Sequence, residues 1–278
     1  MTIEQPEKFH FRKSAQLTEA EKRAVQQWLS NQTIAHETIT SKHVESFERA
    51  AKIDYLICSG IDWAKKALGI DLKLRLLDLQ KIRFIDEQDI PEEERDPSVP
   101  AIYEARTGEI LVVEYPDENQ NMRNLSHEIV HTLSATRLDV KREGEKLEVG
   151  AVTHSGFRGF KNETFKYFNE LVTEAINISI LDYNRRQSNG ADYLSQGHEV
   201  AYANGVLFFN ALIKAVAERL DQKEDTIRNE IFYGYFKGDP TVLKRFTEAF
   251  GSTSGEPILR TLAGLKEQQY PPELLHML

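Results

Sequence analysis

Cysteine occurs once in this chain, at Cys58. A single thiol closes no intramolecular disulfide and builds no cysteine-rich zinc site, so any metal held here takes imidazole and carboxylate ligands. Long apolar runs are missing too. No stretch approaches the ~18 uncharged apolar residues of a transmembrane helix, and the opening MTIEQPEKFHFRK has no apolar core of a secretory signal. No membrane span and a cytoplasmic location are therefore expected. Positive charge is in deficit, with 35 Lys and Arg against 44 Asp and Glu for a net charge of −9. No nucleic-acid partner is expected, because phosphate binding draws on Lys and Arg. Internal repeats and long low-complexity tracts are also absent.

What remains is a chain of 278 residues, 40% hydrophobic, enough for a sizeable core in one or two domains. Thr18 and Glu21 form a capping-box pair ahead of Ala24, Val25, Trp28 and Leu29, which predicts a helix over 18–31. Val44, Phe47, Ala51, Tyr55, Ile57 and Ile61 predict a second over 41–68, ended by Gly69. Alternating Leu72, Leu74, Leu76 and then Ile82, Phe84 predict one or two strands in 71–86. The prolines at 91, 97 and 100 make a loop. AIYEA and EILVVEY flank Arg106-Thr107-Gly108, a turn signal that predicts a hairpin with a strand near 109–115.

A helix is expected from about 118 to 136, two short strand-like runs in 138–160, and a long helix from 162 to 186. Four further helices are expected near 198–220, 223–234, 239–250 and 256–267. The fold class is α+β: a helical region 1–70, a core 71–190 with a small antiparallel sheet, and a helical region 191–278.

Residues 127–131 read His127-Glu128-Ile129-Val130-His131. On a helix, i and i+4 share a face, so both imidazoles can reach one zinc ion at about 2.0–2.1 Å. Glu128 between them is near enough to serve a metal-bound water as general base. A catalytic zinc keeps three protein ligands and an open position. Ser134 and Arg137 stand where the metzincin pattern needs glycine and histidine, so that branch is excluded. Asp139, His154, Glu163, Glu170 and Glu174 are the downstream candidates for the third ligand. Glu170 is best placed and Glu174 is its chief rival. The two are i and i+4 on a largely apolar helix, so one can bind the ion while the other accepts a hydrogen bond from a ligating imidazole.

His127-Glu128-x-x-His131 followed by Asn169-Glu170-x-x-Thr173-Glu174 resembles the gluzincin metallopeptidases, the thermolysin-like branch of the zincins. The likeness covers roughly residues 80–190. It implies His127, His131 and Glu170 as zinc ligands, Glu128 as general base, and Glu174 as the acid that orients a histidine. It implies a zincin-like core and a peptide or protein substrate, with an antiparallel strand beside the cleft to pair with it; residues 109–115 are placed for that. His131 and Glu170 are 39 positions apart (170 minus 131), a longer gap than in thermolysin. The segment 138–160 is therefore a hairpin or loop between the two helices. No thermolysin-type substrate-domain motif follows residue 190.

In the implied chemistry, zinc lowers the pKa of its water, Glu128 takes the proton, and a further donor steadies the oxyanion. His154, Arg158 and Tyr167 are the candidates for that donor. Their bland readings are an exposed loop histidine, a surface ion pair and a core tyrosine. His198-Glu199-Val200-Ala201-Tyr202 lacks the second histidine and is not read as a metal site. Two other functions fit the sequence: a helical binding protein with a structural metal site, and a zinc hydrolase of another amide bond. Oligomeric state is not legible.

Overall fold

A computed structural model describes residues 9–11, 17–30, 42–43, 46–72, 81–90, 100–104, 108–144, 146–153, 156–157, 165–187 and 203–265. Within them the chain is α+β. The strands are β1 (Phe9–Phe11), β2 (Lys42–His43), β3 (Ile82–Asp86), β4 (Ala101–Glu104), β5 (Glu109–Glu114), β6 (Thr136–Glu143) and β7 (Lys146–Thr153). The helices are α1 (Glu19–Ser30), α2 (Phe47–Trp63), α3 (Glu118–Leu133), α4 (Lys166–Gln187), α5 (Ala203–Leu220), α6 (Glu224–Lys237) and α7 (Lys244–Ala263).

Local chemistry explains most of these boundaries. Thr18 Oγ1 accepts from the Glu21 N–H at 3.3 Å, and Glu21 accepts from the Thr18 N–H at 2.8 Å, so the capping box forms and α1 begins at Glu19. The second helix starts later than the apolar pattern suggests, at Phe47, because Ser46 caps it by accepting from the Arg49 N–H and Lys42–His43 pair as a strand instead. It closes through one wider turn, residues 64–68, before Gly69 takes the left-handed conformation at φ 70°. Asp117 caps α3 by accepting from the Asn119 N–H. The expected helices 239–250 and 256–267 fall within α7, which is two helices parted by a kink at Gly251, whose φ 75° and ψ 165° are not helical.

Two sheets form, ordered β2-β3-β5-β4 and β1-β6-β7. Neither is purely antiparallel, which corrects the expectation from sequence. β3 runs parallel to β5, with Ile82 beside Ile110 and Asp86 beside Glu114. β1 runs parallel to β6. The cause in the larger sheet is the path of the chain. It leaves β3, crosses to the outside to make β4, and turns back through a hairpin, so β5 fills the place between them and runs with β3.

That order also settles which strand has an open side. β5 is paired on both edges, so residues 109–115 offer no free strand edge, contrary to expectation; among the described residues β2 and β4 are the outer strands, and β4 is the one that lies against α3. The Val113 N–H bonds the Pro100 carbonyl at 2.9 Å, and by antiparallel alternation the Ala101 and Tyr103 backbone groups face away from β5.

The β6–β7 hairpin occupies most of the segment between the two motif helices. α3 lies against α2, α4 and the β4–β5 hairpin. One hydrophobic core draws on all of these regions: Ile53 and Trp63 from α2, Phe84 and Ile110 from the sheet, Leu125 and Ile129 from α3, Phe168 and Val172 from α4, and Phe209, Phe232 and Phe246 from the later helices. The Ala135 N–H bonds the Phe236 carbonyl at 3.1 Å, fastening the end of α3 to α6. No described helix is long and apolar enough to cross a membrane.

Candidate metal centre

The 3.6-residue period of α3 stacks His127 and His131 one turn apart, with ring centroids 5.1 Å apart. Both are buried, as is Glu128. The neighbouring α4 brings Glu170 onto the same spot. Glu170 Oε2 lies 3.2 Å from His127 Nε2 and 3.1 Å from His131 Nε2. All three ligand atoms fall within 4.8 Å of one another, an arrangement that could hold a metal ion. Two donors about 2.0–2.1 Å from one tetrahedral ion stand roughly 3.4 Å apart, close to what is seen.

Proton bookkeeping shows what the gap between the helices requires. The Glu174 carboxylate has only lone pairs, so His127 Nδ1, 2.6 Å away, carries the hydrogen between them. A neutral imidazole then turns the bare Nε2 toward Glu170. Two acceptors at 3.2 Å repel unless a proton or a metal ion lies between them.

The electrostatics agree. Burial alone lowers the His127 pKa, yet hydrogen bonds to Glu170 and Glu174 overcome it and hold the ring well above its ordinary 6.5. Burial would raise Glu170, but His131 and His127 hold it well below the usual carboxylate value. Glu128 behaves differently. Burial raises its pKa, and the two histidines and a hydrogen bond from the Tyr103 N–H only partly oppose that rise. The outer edge of β4 thus meets, through Tyr103, the carboxylate that lies between the two histidines in sequence.

Of the residues singled out from sequence, His127, His131 and Glu170 converge, and Glu174 bonds the outer nitrogen of His127. Tyr167 is buried in the hydrophobic core. Asp139 lies on β6. His154, Arg158, Glu163 and residues 198–202 lie outside the described residues.

One participant escaped the sequence reading. The Tyr235 hydroxyl lies 3.2 Å from His131 Nδ1 and 2.7 Å from Thr173 Oγ1. Its helix reads Phe232-Tyr233-Gly234-Tyr235-Phe236, an apolar stretch. The available signal was the phenol itself, since a buried tyrosine hydroxyl must find a partner. No family model, curated protein or solved structure matches this chain.

Proposed function

We propose that this chain is a zinc-dependent metallopeptidase of zincin-like type, acting on a peptide or protein substrate in the cytoplasm. The observation that carries the reading is the meeting of His127, His131 and Glu170 around one point, with Glu128 buried on the same helix. Among the described residues three protein donors meet, the number that a catalytic zinc with an open position takes, whereas a closed structural site takes four. Bound zinc supplies a Lewis acid that polarises a carbonyl and lowers the pKa of water to about 7.

The chain's own groups supply the rest. Glu128 receives the proton of the attacking water and passes it to the leaving amine; its burial-raised pKa suits a group that must both take and give. The Tyr103 N–H keeps that carboxylate aimed. Glu174 holds the His127 ring in the tautomer whose Nε2 lone pair faces the metal position. An extended substrate would lie along the outer edge of β4, the place first expected of 109–115, beside the Tyr103 N–H that reaches Glu128 and the half-exposed Ile102.

The test is Glu128→Gln, assayed beside the native chain against a diverse peptide library. The native chain should carry one zinc and cleave peptides; the variant should keep the zinc and lose cleavage by a factor of about 10² or more. Undiminished cleavage by the variant, or a zinc-loaded native chain that cleaves no peptide, would sink the proposal.

A further inference from the structure

We infer that Tyr235 is a positioning residue for the metal: its phenol oxygen accepts the His131 Nδ1 hydrogen and so keeps the Nε2 lone pair directed at the cation. The inference rests on the metal-binding part of the reading above and assigns a role to α6, outside the stretch that carries the motif.

The hydrogens around the phenol fix the direction. Thr173 Oγ1 donates to the Asn169 carbonyl at 2.8 Å, and Ser134 Oγ donates to the His131 carbonyl at 2.7 Å. A hydroxyl has one hydrogen to give, so neither has one left for Tyr235. The phenol therefore gives its own hydrogen to one of these two hydroxyl oxygens, Thr173 at 2.7 Å or Ser134, and keeps its lone pairs. What it offers His131 Nδ1, at 3.2 Å, is an acceptor. An imidazole that donates from Nδ1 has its free lone pair on Nε2, the atom that faces Glu170.

The two histidines are thus held by different chemistry. His127 leans on a carboxylate, His131 on a phenol. Tyr235, Thr173 and Ser134 are each fully buried, so water does not replace a lost partner cheaply.

The test is zinc affinity, measured by chelator competition on native chain and Tyr235→Phe, with circular dichroism as the check on fold. The expected result is a folded variant whose zinc Kd rises about 10–100-fold, beyond any change in the melting temperature of the metal-free chain. An unchanged Kd in a folded variant overturns the inference and leaves the metallopeptidase reading standing. A native chain that binds no zinc overturns both.

Should Tyr235→Phe fail to fold, the native zinc-loaded chain still decides by nitrogen-15 NMR. A His131 Nδ1 hydrogen shielded from solvent exchange and close to Tyr235 supports the role. One that exchanges freely with water ends it.

Discussion

Glu174 Oε2 lies 2.6 Å from His127 Nδ1, and Asn177, one turn further along α4, donates to the same oxygen at 3.4 Å. Asn177 in turn accepts from Ser126 Oγ at 2.8 Å. The carboxylate is gripped from both helices, so the imidazole it orients has little freedom to turn. Such outer partners usually matter by factors, whereas ligands decide whether a metal is held at all.

Glu174→Ala should accordingly keep one zinc per chain with a Kd about 10–100-fold weaker, whereas Glu170→Ala should lose tight binding. Chelator competition on the two variants measures this. The reverse order would make Glu174 the ligand and Glu170 its support.

Proton release should accompany zinc binding. His127 is held well above its ordinary 6.5, so near pH 7 the metal-free ring carries a proton that zinc must displace. Affinity should climb with pH until the raised His127 value is passed. Calorimetry in two buffers of different ionisation enthalpy reads the released proton directly; identical heats in both would contradict it.

The metal-free chain should show the matching stability profile. The raised His127 contributes stability that is complete below about pH 6.5 and is lost as pH rises through its folded value. The lowered Glu170 contributes above its ordinary 4.5 and is lost as pH falls through its folded value. Glu128, raised by burial, costs stability once it ionises. Melting of the metal-free chain should therefore weaken toward alkaline pH, and added zinc should raise the melting temperature most there.

Gly156 gives a test of the frame around the centre. Its φ is +73°, and an added Cβ would stand 2.1 Å from Asn169 Oδ1 and 2.6 Å from the Tyr235 ring. Left-handed strain of about 1–2 kcal/mol and overpacking of about 1–3 kcal/mol together predict that Gly156→Ala costs roughly 2–5 kcal/mol. Gly144 is also left-handed, at φ +62°, but meets nothing within 4 Å, so Gly144→Ala should cost only about 1–2 kcal/mol. Denaturant melts of the two variants separate strain from crowding.

Features that depend on near neighbours were legible in the sequence. The Thr18–Glu21 cap, the i,i+4 pairs His127/His131 and Glu170/Glu174, and the β4–β5 hairpin each lie within one helical turn or one tight turn. Features set by the path of the chain were not. A hairpin signal sees β4 against β5, but the parallel seating of β5 on β3 depends on which side of β3 the chain places that hairpin. Tyr235 lies 104 positions from His131, and in an apolar helix its ring looks like any other core residue. Only packing shows that its hydroxyl meets the imidazole.

The bond from the Ala135 N–H to the Phe236 carbonyl has a bearing on the order of synthesis. His127, Glu128, His131 and Glu170 all leave the ribosome before α6 has been made. The growing chain thus carries these side chains before the Tyr235 hydroxyl and the Phe236 carbonyl exist to brace them. If the centre binds a cation as proposed, its His131 side would be completed only once α6 follows.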